Sequence, residues 1–194
     1  MSERVQSSAV LHCHPDLPCT AVKSIEALLR CERGNVLTVT YTLRGIVEQL
    51  RVPADGSARR ADELWRHTCF ELFIGAKNDA EYYEFNLSPS GEWQVHEFRG
   101  YRDGGPLQAD GLEPRLAVQR GADTLELSAV LSLDFLPGIH GDLSLWVGLS
   151  AVIEDKEGQL SYWALKHPPG KPDFHHADAF ALELPSLVRK RESA

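Results

Sequence analysis

The chain has 194 residues, about one domain's length, and its 43% apolar and 25% charged residues exclude a disordered, collagenous or coiled-coil chain. Its 20 basic against 28 acidic side chains give a formal charge of -8, which repels a phosphate backbone and argues against a nucleic-acid partner. Met1 is the only methionine, which later removes one class of haem ligation.

The longest uncharged apolar stretch, Leu143 to Ile153, is far too short for a membrane-spanning helix, so no membrane partner is expected. Met1 to Val10 places Glu3 and Arg4 among small polar residues, with no signal-peptide core, and the expected compartment is the cytoplasm. Cys13, Cys19, Cys31 and Cys69 lack the dense spacing of a secreted disulfide scaffold and are expected to be free thiols.

From Ser24 to Glu32, Ile25, Ala27, Leu29 and Cys31 alternate with Glu26, Arg30 and Glu32, interrupted only by Leu28, and a period of two predicts a half-buried strand. After a turn at Arg33-Gly34-Asn35 the pattern repeats to Leu43, with Leu37, Val39, Tyr41 and Leu43 on one face and Thr38, Thr40 and Thr42 on the other. The pair predicts a hairpin. Further strands are expected at about 68 to 75, 81 to 88, 92 to 99, 115 to 121, 124 to 131, 143 to 153 and 160 to 166, with a last one near 178 to 184. Short helical turns are expected at Ala61 to Trp65 and Leu133 to Leu136, and Arg189 to Ala194 reads as a tail. About ten short strands without a long amphipathic helix predict an all-β fold, an antiparallel β-sandwich or barrel, as a single domain over 1–194.

The densest run of aromatic and polar side chains lies between Trp65 and Trp93. Keeping Phe70, Leu72, Ile74, Tyr83 and Phe85 on the apolar face, with a loop of plausible length, sets Glu71 opposite Glu84 and Cys69 opposite Asn86. The next hairpin then brings Gln94 near Glu84 and His96 near Tyr82. The opposite face so carries Glu71, Tyr82, Glu84, Asn86, Gln94 and His96, which suits hydrogen bonding to the hydroxyls of a polyol or sugar. An ordinary solvated sheet face is the alternative.

The runs Leu64-Trp65-Arg66-His67-Thr68-Cys69-Phe70-Glu71-Leu72-Phe73-Ile74 and Tyr83-Glu84-Phe85-Asn86-Leu87-Ser88-Pro89-Ser90-Gly91-Glu92-Trp93, with Tyr101-Arg102 and Tyr162-Trp163-Ala164-Leu165, resemble the bacterial DOMON-like proteins. Those are similar in turn to family-nine carbohydrate-binding modules and to haem-binding cytochrome domains, and the resemblance implies the same β-sandwich. In the carbohydrate-binding branch two tryptophans clamp a terminal sugar. Trp65 and Trp163 match them by position, so the resemblance implies that both stack on a ring while Glu71, Glu84, Asn86 and Arg102 bind hydroxyls. Tyr82, His96 and the loop carrying Lys166 and His167 would close the rim.

The haem branch generally uses Met with His or Lys as axial ligands, and Met1 leaves only a bis-His version, with His67, His96, His167 and His175 as candidates. His12-Cys13-His14 with Cys19 is the most metal-like cluster, but its spacing fits no standard zinc module, and no metal ligand is assigned. The Lys166 to Asp178 loop, rich in Pro, His, Lys and Asp, is either a rim over the site or an irregular crossover. Glu71 and Glu84 have the composition of a glycosidase pair without an enclosing cleft in the sequence pattern. There is no nucleophile elbow, phosphate loop or dinucleotide fingerprint, and Cys69 with His67 is a poor nucleophile pair.

The expectation is therefore a non-catalytic β-sandwich that binds a small molecule, a saccharide or sugar-containing metabolite, with no resident cofactor. A protein-interaction module using the same aromatic patch and a bis-His haem carrier are the alternatives.

Overall fold

A computed structural model describes residues 5–32, 35–140 and 143–186. The turn read at Arg33-Gly34 and the tail at 189–194 lie outside the described residues. The strands in chain order are β1 (Val5–Cys13), β2 (Val22–Glu32), β3 (Val36–Gly45), β4 (Cys69–Ala76), β5 (Tyr82–Leu87), β6 (Trp93–Phe98), β7 (Gly104–Pro106), β8 (Arg115–Arg120), β9 (Thr124–Ser132), β10 (Leu145–Glu154), β11 (Leu160–Ala164) and β12 (Leu182–Leu184).

The strands follow the spatial order β7-β6-β5-β4-β10-β11-β1-β2-β3-β9-β8, with β12 also against β10, and every strand pair is antiparallel. The fold is an all-β antiparallel sandwich. β1 joins its halves: Val5 to Leu11 pair with β2, whereas His12 and Cys13 pair with Ala164 and Trp163 of β11. The inner faces meet in one apolar core that includes Ile25, Leu29, Leu37, Val39 and Leu43 from one sheet and Phe70, Leu72, Phe85, Val147 and Leu149 from the other. Burial at every second residue, as the alternation requires, is the largest favourable contribution to this fold.

Two strands escape the sequence pattern. In β1, Val10 points outward and is exposed while Ser7 faces inward, so its alternation is blurred. β7 is a Gly-Gly-Pro edge held by β6, where a side chain at Gly104 would collide with the Glu97 carbonyl. The expected turns shorten to 3-10 turns at Leu64–Arg66 and Leu133–Phe135. The strand expected near 178 to 184 also shrinks, to Leu182–Leu184, because Ala177–Ala179 form a 3-10 turn capped by the His176 side chain.

Register is the main correction. Phe70 pairs with Leu87 and Leu72 with Phe85, so Glu71 lies opposite Asn86, and Glu84 lies opposite Phe73. In the next hairpin His96 lies opposite Glu84 and Gln94 opposite Asn86. Both ladders are displaced by two residues from the expected pairing, which keeps every side chain on its expected face.

The metal-like cluster is a peg for the late loop. His14 is buried, its Nδ1 accepts the Asp16 N–H at 3.3 Å and its Nε2–H donates to the Gly170 carbonyl at 2.9 Å. His167 Nε2–H donates to the His12 carbonyl at 2.8 Å, and the two imidazoles meet edge to face at 4.9 Å. Cys13 Sγ–H donates to the Leu17 carbonyl, and all four cysteines are free thiols. His14→Ala should therefore cost about 1–3 kcal/mol and raise amide exchange across 166–176 more than elsewhere. Urea unfolding and hydrogen exchange read the two effects, and unchanged loop protection would count against the peg.

Candidate ligand-binding site

The polar face of the β5, β4, β10 and β11 sheet is not a flat solvated face, because the β6–β7 connection and the pegged late loop rise over it and leave a cavity with an open mouth. Glu71 on β4 and Glu84 on β5 are 2% and 7% exposed. As diagonal neighbours across one ladder they lie about 7–8 Å apart at the backbone, with Asn86 opposite Glu71.

Each carboxyl is fixed by neutral donors. Ser150 on β10 donates its hydroxyl to Glu71 Oε2 at 3.0 Å, while Tyr41 from the facing sheet holds the strand beneath it by donating to the Glu71 backbone carbonyl at 2.6 Å. Asn86 Nδ2 donates to Glu84 Oε1 at 2.8 Å, and its Oδ1 accepts the Cys69 thiol at 3.8 Å. Burial, and then the Glu84 charge, hold the Glu71 carboxyl well above the usual carboxylate range. Burial raises Glu84 to about 7, against the opposing pull of the Asn86 hydrogen bond and the Arg102 charge. The two acids thus share a buried floor where at least one keeps its proton at neutral pH.

The rim is a relay of hydrogen bonds. Arg102, at the left-handed φ of 55°, sends its backbone N–H to Tyr82 Oη at 3.2 Å. Tyr82 Oη lies 2.8 Å from His175 Nδ1, and His175 Nε2 lies 3.8 Å from Glu84 Oε2. With the phenol already accepting from Arg102, its own proton goes to Nδ1, and the imidazole carries its proton on Nε2 toward the carboxyl. Burial and then the Arg102 charge depress His175 to about 4, so the ring is neutral. The Arg102 guanidinium donates to Asp173 Oδ1 at 2.8 Å, and Tyr101 donates to Asp173 Oδ2 at 2.6 Å.

Above this floor lies a cavity of about 370 Å³, at the lower end of the roughly 300–1,000 Å³ typical of small-molecule sites. Glu71, Glu84 and His175 line its polar part, and Trp65, Phe98, Tyr162 and Phe174 supply rings. Trp65 is 39% exposed and meets His96 edge-on at 5.9 Å.

With that geometry in view, comparison with solved structures finds a proposed carbohydrate-binding protein from Bacteroides uniformis, with a TM-score of 0.67 and 16% identity over 89% of this chain and 83% of that one. The likeness is one of fold. Two structures of a family-nine carbohydrate-binding module from Caldicellulosiruptor kristjanssonii, in complex with glucose and with cellotriose, also match. Their TM-scores are 0.45 and 0.47 at 13% and 11% identity, over 84% of this chain and 73% and 74% of those chains. Superpositions so loose transfer no residue role. No protein-family profile matches the chain, and no curated protein does.

Of the residues singled out in the sequence, Trp65, Glu71, Glu84, His96 and Arg102 line the cavity. Tyr82 stands behind His175 and works through it. Asn86 is fully buried, with both polar atoms of its side chain engaged, so it positions Glu84 and does not reach the space. Trp163 corrects the expectation most sharply. Its partners Cys13 and Ala151 turn it inward, it is 6% exposed within the core, and its Nε1–H donates to Ser161 Oγ at 3.1 Å. Tyr162, of opposite parity, takes the place on the cavity wall that the resemblance gave to Trp163.

Lys166 and His167 also lie outside the cavity. Lys166 Nζ is 3.5 Å from Asp178 Oδ2, and His167 holds β1 and backs Phe174 with ring centroids 6.4 Å apart. Phe98, Tyr162, Phe174 and His175 complete the walls. Of these, only His175 had a chemical signal in the sequence, as an imidazole in a Pro-rich loop.

The bis-His haem option does not fit these residues. His67 Nδ1 bonds Glu154 Oε2 at 2.7 Å, and His167 is committed to β1. His96 and His175 share the cavity, yet His175 has Nδ1 on Tyr82 and Nε2 turned to Glu84. Among the described residues, no group of three or more His, Cys, Asp or Glu is arranged to hold a metal ion.

Proposed function

We propose that this chain is a ligand-binding β-sandwich that holds a saccharide or sugar-containing metabolite in the 370 Å³ cavity and performs no covalent chemistry on it. The observation that carries the reading is the pairing, in one cavity, of two fixed buried carboxyls with a set of aromatic side chains. Carboxyl oxygens can take the hydrogen bonds of neighbouring hydroxyls, and aromatic faces cover the C–H side of a sugar ring. The cavity's size suits one ring better than an extended chain. Trp65 would stack at the mouth, Glu71 and Glu84 would bind hydroxyls at the floor, and Arg102 would close the rim. The likeness of fold to the Bacteroides uniformis protein supports the class of ligand. The free thiols suit a reducing compartment, and the ligand would be a soluble cytoplasmic metabolite.

A thermal-shift screen of mono- and disaccharides should find at least one that raises the melting temperature of the parent. A ligand at about 100 times its Kd adds about 2.7 kcal/mol, and Trp65→Ala should remove the shift. No hit in the panel, or a hit of equal size in Trp65→Ala, would overturn the assignment.

A further inference from the structure

Two buried carboxyl groups ordinarily have a cation in contact with them. Here none is in contact, and the Arg102 charge on the same cavity rim reaches both only from a distance. Among the described residues no Lys or Arg nitrogen lies within 4.0 Å of either, and the single basic atom in reach is His175 Nε2, 3.8 Å from Glu84 Oε2. That ring carries no charge, since burial and Arg102 keep it neutral. Arg102 itself is spent on Asp173 at 2.8 Å. Glu71 uses Oε2 for Ser150, while its Oε1 accepts no hydrogen bond from the described residues and opens onto the cavity that the residue lines.

From this geometry we infer that the ligand carries a protonated amino group, seated between Glu71 Oε1 and Glu84 Oε2, so that the preferred ligand is an amino sugar rather than a neutral sugar. The inference rests on the saccharide reading and adds one charge to it. Three donors of a primary ammonium need acceptors, and the floor offers carboxyl oxygens that neutral donors have left partly free. The remaining faces of the cation would meet the rings of Tyr162, Phe174 and Trp65, which attract positive charge through their π clouds. A hydrated divalent ion asks for six or more oxygen ligands, whereas this floor supplies two carboxyls and then aromatic walls. An alkylammonium is satisfied by that set.

The test is a calorimetric titration of the unmodified protein at pH 7 with glucosamine, glucose and N-acetylglucosamine, which share a ring and differ in charge. Glucosamine should bind roughly tenfold tighter than either neutral sugar or better, the size expected for a hydrogen bond to a charged partner. In Glu71→Gln with Glu84→Gln, checked for folding by its melting transition, that preference should fall to about twofold or less. Equal binding of all three sugars to the parent would overturn the amine and leave the saccharide reading standing. Ethanolamine binding as tightly as glucosamine, with no response to glucose or N-acetylglucosamine, would uphold the ammonium site and overturn the saccharide reading. No binding by any of the four probes would overturn both.

Discussion

Trp163→Ala should lower the free energy of unfolding by about 3–5 kcal/mol, whereas Trp65→Ala should lower it by less than about 1 kcal/mol. The indole of Trp163 is 6% exposed among core residues, and truncating it removes a large apolar volume while leaving Ser161 Oγ without its donor. At about 2–4 °C per kcal/mol for a chain of this size, the melting temperature should fall by roughly 10 °C. Trp65, 39% exposed on a 3-10 turn at the cavity mouth, lies outside the core and has less packing to lose. The two tryptophans should also separate in ligand response: Trp65→Ala loses it at near-parental stability, and Trp163→Ala retains it wherever the chain remains folded. Urea unfolding with tryptophan fluorescence measures the first contrast. A Trp163→Ala protein within 1 kcal/mol of the parent would mean that the side chain contributes little to the core.

The strand-rich fold and the faces of β2 to β6 and β9 were legible in the sequence, because burial on one face writes itself as a period of two. β2, β3 and β9 show this plainly, β4 is buried on both faces, and Glu71, Glu84 and His96 stand on the expected side. The absolute register was not legible. A slip of two residues leaves parity untouched, and the true pairing depends on the β4–β5 loop. There Asn78 takes a φ of 70° and Asp79 Oδ1 accepts the N–H groups of Ala80 and Glu81. Nor does Tyr162-Trp163 announce which ring turns inward, since that is decided by β10 and β1 on either side. Phe174 and His175 reach the site because residues far away in sequence, His14, Tyr101 and Arg102, hold the loop that carries them. Long-range anchoring of this kind has no local pattern.

Glu84→Gln should be more stable than the parent at pH 8 and nearly equal to it at pH 5. Burial holds the folded Glu84 carboxyl at about 7, against 4.5 for an ordinary glutamate. Below pH 4.5 the group is protonated whether the chain is folded or not, and its burial carries no ionisation cost. Between 4.5 and about 7 the unfolded chain has released the proton while the folded chain retains it, so the parent loses stability as pH rises. At about 1.36 kcal/mol per pH unit the loss approaches 3 kcal/mol by pH 8. Glutamine has no proton to lose and keeps an oxygen for Asn86 Nδ2, so the variant escapes that loss. His175 acts in the opposite sense: depressed to about 4, it gives stability that is present above its ordinary 6.5 and declines as pH falls through 6.5 toward 4. That contribution is common to both proteins and cancels in their difference. Arg102 and Glu71 also face the group, and loss of the Glu84 charge relieves Glu71, whose carboxyl that charge pushes further up. Denaturation curves at pH 5, 6, 7 and 8 should therefore show the gap between variant and parent opening from below about 1 kcal/mol to about 2–3 kcal/mol. Two parallel stability profiles would mean that Glu84 ionises in the folded chain as it does in water, and that the floor of the cavity is wet.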